Sequence, residues 1–305
     1  MTQFWELKQD NFEKIFFFKL GKFYEIFHSD AILCNKLLDL NWMGSSKKLH
    51  IGFPEKALDK YLHMLVNLGY KVAVIEQTET PRQLEERKAK AATIDKPRTL
   101  KRAICNMVTK GTFKAKDQTY ESKYVLALKK HGKEFGVTFF DVTTLEIFVG
   151  QFEDDELMTS LRTLCCQIRP VEVIHEREYS NSDVVKMLKS SASAPVLTPL
   201  PPTKCHSFVR TVGLLETYFG EDVARWPEPL QGIRTAEKDL AMNALGMTIA
   251  FLTDALIDEQ TISPGQYHTY SPESRQATST GLNHMVLDSQ ALEHLEIVVS
   301  ARGTV

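Results

Sequence analysis

Short apolar runs of strand length alternate with stretches of helical spacing along this 305-residue sequence. The clearest runs read IFFFKL (residues 15–20) and YKVAVIEQ (70–77), and residues that favour turns bound them. Between these runs, residues 23–40 place apolar side chains at intervals of three or four, which predicts a helix beginning just after Gly21. The first part of the chain is therefore predicted to be a mixed α/β unit that ends near residue 110.

A second α/β unit is predicted after the polar linker TKGTFKAKDQTYESK. Three strand-like runs, YVLALKK, EFGVTFFDV and LEIFVGQF, follow one another with short turns between them, which predicts an antiparallel meander. The remaining predicted elements are a helix over 154–168, a strand over 171–176, a helix near 181–190, a surface loop over 190–204, and helices near 207–219 and 235–258.

The closing stretch LDSQALEHLEI again has helical spacing, but little sequence remains for it to pack against. We therefore predict three domains, over residues 1–112, 120–262 and 265–305. The third of these is expected to be only the beginning of a larger domain.

Charge is distributed unevenly along the chain. The net charge is −2, yet residues 1–110 hold 19 Lys and Arg against 13 Asp and Glu, a balance of +6. Residues 111–305 hold 18 against 26, a balance of −8. A basic first third on an acidic remainder indicates that the first third binds a polyanion. No apolar run approaches the roughly 20 residues that span a bilayer.

Enzyme motifs are missing from the sequence. There is no GxxxxGK[ST], so this chain is not expected to bind or hydrolyse ATP through a P-loop. The nine histidines and five cysteines show no HExxH or CxxC spacing, so no metal site is predicted. Asp141, which lies on a predicted strand, raises the hypothesis of a metal-dependent nuclease. Glu172 and the acidic run at 153–156 would be the further carboxylates. Two-metal hydrolysis needs several converging carboxylates, and these carboxylates lie on other elements without a diagnostic spacing, which favours a surface or turn-capping role for Asp141.

The stretch KLGKFYEIF (19–27) is the strongest candidate for a binding site. If a helix begins after Gly21, its first amides and Lys22 suit a phosphate. Phe23 lies beside the core-facing apolar stripe, and an apolar side chain in that position can wedge between bases. Glu25 can accept a hydrogen bond from a base N–H or, with a raised pKa, donate one to a purine N7.

These residues alone leave a second interpretation open, in which Phe23 is a core ring and Glu25 a solvated helix residue. Lys47 and Lys48, in the polar loop before GFPE, are additional candidates for phosphate contacts.

Several motifs in a fixed order resemble the MutS family of DNA mismatch repair proteins. GKFYEIFHSDA (21–31) resembles the family's Phe-x-Glu mismatch-recognition motif, and EQTETP and FWELKQDNF are similar to its eukaryotic homologue 6 type, a subunit of MutSα. The further matching stretches are GFPE (52–55), GYKVAVIEQTETP (69–81), ICNMVTKGT (104–112), FVGQFEDD (148–155), LRTLC (161–165) and HMVLDSQALEHLEI (284–297).

The resemblance implies roles for individual residues. Phe23 would stack on the mispaired base and Glu25 would hydrogen-bond to it, while Gly21 and Lys22 would approach the DNA backbone. The implied fold is a mixed α/β mismatch-binding domain, then a ribonuclease-H-like connector domain without nuclease activity, then the start of a helical lever domain.

The resemblance also implies a setting for the chain, as the N-terminal portion of a nuclear protein that binds double-stranded DNA with a mismatch or small loop. ATP and Mg would bind an ATPase domain that this chain lacks, and a homologue 2 type subunit would be the partner. The alternative for this chain is a connector-based protein-interaction fragment with little DNA affinity.

Overall fold

The structure, a computed structural model, forms two compact units, over residues 1–117 and 118–305. We call them the N-terminal unit and the C-terminal unit. The residues that the structure describes are 2–44, 49–90, 99–114, 122–191, 193–236, 238–272 and 287–296.

A six-stranded mixed sheet forms the centre of the N-terminal unit. Its strands are β1 (Ile15–Leu20), β2 (Phe23–Phe27), β3 (Trp42–Met43), β4 (His50–Pro54), β5 (Val72–Gln77) and β6 (Arg102–Val108), and its helices are α1 (Thr2–Lys8), α2 (His28–Leu38), α3 (Leu58–Asn67) and α4 (Pro81–Lys90). The spatial order of the strands is β3-β4-β2-β1-β5-β6, with β1 and β5 parallel and the other neighbours antiparallel.

Both faces of this sheet are apolar, because β1 alternates large rings to either side. Phe17 packs with side chains of α2 and α3 on one face. Phe16 and Phe18 pack on the other face around Phe4 of α1, together with Phe27 at the end of β2. We call the face that carries Phe16 and Phe18 the α1 face.

A second six-stranded sheet forms the centre of the C-terminal unit. Its strands are β7 (Tyr124–His131), β8 (Glu134–Asp141), β9 (Glu146–Glu153), β10 (Glu172–Glu176), β11 (Val196–Leu200) and β12 (Gln266–Tyr270), in the spatial order β11-β10-β7-β8-β9-β12. Its helices are α5 (Thr159–Ile168), α6 (Asp183–Ser190), α7 (Phe208–Phe219), α8 (Glu228–Thr235), α9 (Asp239–Asp254), α10 (Asp258–Ile262) and α11 (Ser289–His294).

The predicted meander is confirmed, since β7, β8 and β9 are consecutive antiparallel neighbours. The prediction of a surface loop over 190–204 is wrong in part. Residues Val196–Leu200 form the edge strand β11, parallel to β10. Pro199 made this stretch resemble a loop in the sequence. An edge strand tolerates proline, however, because one side of its backbone needs no partner.

Two predicted helices have different bounds. The helix predicted over 154–168 begins at Thr159, because the carboxylate of Asp154 accepts hydrogen bonds from the amides of Ser160 and Leu161 and so marks the start of the helix. The helix predicted over 235–258 is instead α9, with α8 before it and α10 after it. Among the described residues, no helix is long and apolar enough to cross a membrane.

Candidate nucleic-acid interface

The stretch KLGKFYEIF forms a tight β-hairpin rather than the start of a helix. Leu20 at the end of β1 pairs with Phe23 at the start of β2, so Gly21 and Lys22 are a two-residue turn. Gly21 has φ +62°, the conformation that a type II′ hairpin turn requires at its first central position. The predicted helix after Gly21 is therefore wrong, and α2 begins only at His28.

This correction changes how the site is built. No helix N-terminus lies next to Lys22, so the proposed phosphate contact through first-turn amides has no structural basis. Lys22 is exposed in the turn itself. Lys47 and Lys48 lie outside the described residues, and no geometry is assigned to them.

The strand geometry separates Phe23 and Glu25 from the core. Successive side chains of a strand point to opposite faces, so Tyr24 and Ile26 face the α2 and α3 side and are buried. Phe23 and Glu25 lie on the α1 face with Phe27. Phe27 is covered there, whereas the Phe23 side of the strand is open, and Phe23 is 42% exposed. The interpretation of Phe23 as a core ring is therefore wrong.

Glu25 lies at the middle of β2, opposite Phe18 of β1 and Gly52 of β4. Its carboxylate makes no hydrogen bond with any residue that the structure describes. Burial raises its pKa, and the positive charge of nearby His50 opposes that shift. Gly52 lies directly beside it, since a Cβ on Gly52 would come 3.4 Å from the Glu25 Cγ and 3.1 Å from the Tyr24 carbonyl oxygen.

An ion network fixes the hairpin from the opposite face of the sheet. Lys19 Nζ lies 2.8 Å from a Glu55 carboxylate oxygen and 3.9 Å from one of Glu76. The Tyr24 hydroxyl donates a hydrogen bond to Glu76, and the backbone N–H of Glu55 donates one to the Lys22 carbonyl at 2.9 Å. Burial and the Glu76 hydrogen bond raise the pKa of Tyr24. The turn that precedes Phe23 is thus held in one position.

This network was not predicted from the sequence, although two of its carboxylates stand in recognisable motifs. Glu55 ends GFPE and Glu76 begins EQTETP. The signal that could have revealed it is a lysine inside an otherwise apolar strand, since a buried ammonium needs carboxylate partners.

Asp141 has a structural role in the C-terminal unit. Its carboxylate accepts hydrogen bonds from the backbone N–H groups of Thr143, at 2.7 Å, and Lys123, at 2.9 Å. Both bonds hold the ends of strands, as the turn-capping interpretation expected. The alternative of a surface Asp141 is wrong, since Asp141 is 2% exposed. Within the described ranges no group of three or more His, Cys, Asp and Glu side chains is arranged to hold a metal ion.

Comparison with known proteins agrees with this architecture. Residues 1–117 match MutS domain I and residues 123–261 match MutS domain II. The chain is 35% identical to the DNA mismatch repair protein Msh6 of Homo sapiens over 98% of its length, and 33% identical to MSH6 of Arabidopsis thaliana over 99%. It is 29% identical over 99% of its length to the MutS of Methanococcoides burtonii.

The chain spans about a quarter of the length of the Msh6 relatives and 32% of that MutS. Both matched domains are of the mixed α/β type that the sequence predicted. The order of the matches, with domain I before domain II and together covering most of the sequence, shows that this chain belongs to the MutS family.

Proposed function

We propose that the N-terminal unit recognises mispaired DNA, with Phe23 stacking on the mispaired base and Glu25 hydrogen-bonding to it. Gly21 and Lys22 form the turn that approaches the DNA backbone. The relatives carry the name of DNA mismatch repair proteins, which supports a role in the same process.

One observation carries the proposal, namely the exposure of a single ring in an aromatic-rich hairpin. Phe16, Phe17 and Tyr24 are at most 1% exposed, and Phe23 alone of the hairpin's rings is open to solvent. The ring of Phe23 makes no ring–ring contact with the described residues. A rigid turn that presents an unpacked phenylalanine beside a carboxylate suits insertion between bases.

Phe23→Ala should therefore reduce discrimination without affecting the fold. Base stacking by an aromatic side chain contributes about 1–3 kcal/mol, so the ratio of affinities for a G·T duplex and a fully paired duplex should fall roughly 5- to 150-fold toward one. Unfolding free energy should change little, because Phe23 is 42% exposed and belongs to neither buried cluster of the unit. Fluorescence anisotropy on both duplexes and thermal unfolding would measure the two quantities.

Phe12→Ala is the matched control, since Phe12 is a phenylalanine of the same unit and is 64% exposed. This variant should keep the wild-type ratio. The proposal is wrong if the two variants bind the G·T duplex equally well, or if Phe23→Ala lowers the melting temperature by many degrees while the ratio holds.

Glu25→Gln should show how much the negative charge of Glu25, as distinct from its size, contributes to discrimination. Glutamine keeps the size and hydrogen bonding but is not repelled by phosphates, so binding to paired DNA should hold or rise and discrimination should fall. Anisotropy titrations on the two duplexes measure this directly. Unchanged discrimination would exclude the carboxyl from recognition.

The same substitution should affect stability in a pH-dependent way. Because burial raises the pKa of Glu25, its charged form destabilises the folded state as pH rises through the folded pKa. Glu25→Gln should therefore be as stable as the wild type, or slightly more stable, at pH 7. The difference should vanish below the pKa of the unfolded carboxyl, which urea unfolding at several pH values would test.

The wider setting of the chain is also part of the proposal. We propose a nuclear protein that, in its longer form, pairs with a homologue 2 type subunit and binds ATP and Mg in a domain outside this chain. Residues 265–305 would begin the lever domain. The competing proposal of a protein-interaction fragment predicts no measurable difference between the two duplexes for this chain.

A further inference from the structure

Arg102 is the first residue of β6. It is a charged residue of the N-terminal unit to which the proposed function assigns no role. Its Nε donates a 2.8 Å hydrogen bond to the Lys19 carbonyl, and its Nη1 donates one of 3.1 Å to the Leu100 carbonyl. Its guanidinium carbon lies 5.2 Å from the ring centre of Phe18. Three contacts thus fix the guanidinium, which is half-buried.

This guanidinium has no counter-ion among the residues that the structure describes. Other cations of the unit do have one: Lys8 lies 2.6 Å from Asp30, Lys19 lies 2.8 Å from Glu55, and Arg87 lies 2.6 Å from Glu79. Burial lowers the pKa of Arg102, and no carboxylate offsets the shift. A partly desolvated charge held by two neutral carbonyls and a ring would be stabilised by an anion.

The position of Arg102 indicates which anion this is. Phe18, on which Arg102 stacks, is the cross-strand partner of Glu25, and its side chain lies on the α1 face with those of Phe23 and Glu25. The Lys19 carbonyl that accepts this hydrogen bond from Arg102 lies two residues before the hairpin turn. Arg102 therefore lies beside the surface on which the proposed function places a DNA duplex.

We infer that Arg102 binds a backbone phosphate of that duplex through Nη2, the guanidinium nitrogen that makes no hydrogen bond within the described part of the chain. This inference rests on the proposed function. The two carbonyls and the Phe18 ring orient the guanidinium before DNA arrives, so little side-chain freedom is lost on binding. A phosphate contact carries no sequence information, so Arg102 contributes to affinity for every duplex alike.

Arg102→Gln tests the inference through the salt dependence of binding. Each phosphate that a protein neutralises adds roughly −0.9 to the slope of log affinity against log salt concentration. We expect the substitution to flatten the slope by about that amount, to weaken G·T and paired duplexes by the same factor, and to leave their affinity ratio unchanged. Arg102→Lys, which keeps the charge, should recover most of the slope.

Lys36→Gln is the control for charge alone. Lys36 is an exposed residue of α2, on the opposite side of the sheet, and its removal should leave the slope at the wild-type value. A purely structural role for Arg102 predicts a different outcome, in which Arg102→Gln lowers stability or discrimination and leaves the slope unchanged. That result would overturn the inference.

A second measurement uses the unaltered chain and does not depend on a variant folding. Phenylglyoxal modifies accessible arginines, and peptide mass analysis would follow Arg102 with and without a paired duplex. The highly exposed Arg225 of the C-terminal unit serves as the internal reference for reagent activity. DNA should protect Arg102 relative to Arg225, and equal modification with and without DNA would contradict the inference.

The two proposals fail in distinguishable ways. If Phe23→Ala abolishes discrimination while Arg102 stays unprotected and the slope is unchanged, the inference about Arg102 is wrong and the proposed function stands. If the wild-type chain binds neither duplex, both are wrong.

Discussion

Lys8→Met is expected to lower the unfolding free energy of the N-terminal unit by about 3–5 kcal/mol, because it leaves a buried carboxylate without its partner. Lys8 lies on α1, and its Nζ is 2.6 Å from Asp30 Oδ2 and 2.6 Å from the Lys14 carbonyl oxygen. The two side chains are 3% and 10% exposed. Asp30 also accepts a hydrogen bond from the Phe16 amide, so one ion pair joins α1, α2 and β1.

Helix α1 covers part of the sheet face on which the candidate interface lies. Phe4 of this helix is the centre of the aromatic cluster on the α1 face. Loss of the ion pair should therefore loosen the face on which Phe23 and Glu25 lie. Hydrogen exchange resolved by peptides would give the opening free energy of the N-terminal unit separately from that of the C-terminal unit.

Two further variants make this prediction specific. The double variant Lys8→Met, Asp30→Asn removes both charges and keeps an acceptor for the Phe16 amide, so it should recover a large part of the lost stability. Lys36→Met alters an exposed lysine and should change stability by no more than about 0.5 kcal/mol. A loss below about 1 kcal/mol in Lys8→Met would show that the ion pair does not hold α1 in place.

Gly136→Ala is expected to destabilise the C-terminal unit by at least about 3 kcal/mol, through overpacking and the loss of helix-capping bonds. Gly136 lies on the central strand β8, and a Cβ there would come 2.0 Å from the carbonyl oxygen of Leu240 in the first turn of α9. Backbone cannot move aside as a flexible side chain does, so α9 must shift.

A shift of α9 also breaks its anchoring to the sheet. The side-chain oxygen of Gln151, on β9, accepts hydrogen bonds from the amides of Leu240 at 3.0 Å and Ala241 at 3.3 Å. Gln151 thus caps the N-terminus of α9 from a neighbouring strand. The N-cap residue of the helix, Lys238, makes no side-chain capping hydrogen bond. The helix packs most of its length against β7 and β8, so the effect should spread through the core.

Gly213→Ala is the matched control. Gly213 lies within α7, and a Cβ there would meet no atom within 4 Å. Alanine should stabilise this helix by about 0.4–1 kcal/mol, because it restricts the unfolded chain. Urea unfolding followed by the far-ultraviolet circular dichroism signal would rank the variants. Equal stability of Gly136→Ala and Gly213→Ala would show that α9 packs elsewhere.

The sequence was informative about element types and misleading about the hairpin. Tyr24, Phe27, Ala31, Cys34 and Leu38 are spaced by three or four residues, so the helical pattern seemed continuous. In the structure a strand ending at Phe27 passes directly into a helix beginning at His28, and the two buried faces join without a loop between them. Tyr24 and Phe27 are both buried, but on opposite faces of β2, so their spacing of three residues imitates a helical period.

Other features required contacts between residues far apart in the sequence. Nothing local links Lys19 to Glu55 and Glu76, or Gln151 to the start of α9, because these partners meet only when the sheets form. By contrast, the capping box that begins α4 is local, and Thr80 and Gln83 exchange hydrogen bonds across three residues. The candidate pair Phe23 and Glu25 rested on the resemblance of GKFYEIFHSDA to the family's motif, while its strand setting came only from the fold.

The central claim, that the Phe23 ring stacks on a mispaired base, is tested most directly by a fluorescent base analogue at the mispair. 2-Aminopurine reports its own stacking, so its emission can be read at saturating protein, where differences in affinity no longer matter. We predict that the wild type and Phe12→Ala change the emission of 2-aminopurine in a mispair and leave it unchanged in a paired duplex, and that saturating Phe23→Ala changes neither. The same emission change at the mispair with saturating Phe23→Ala would contradict the account.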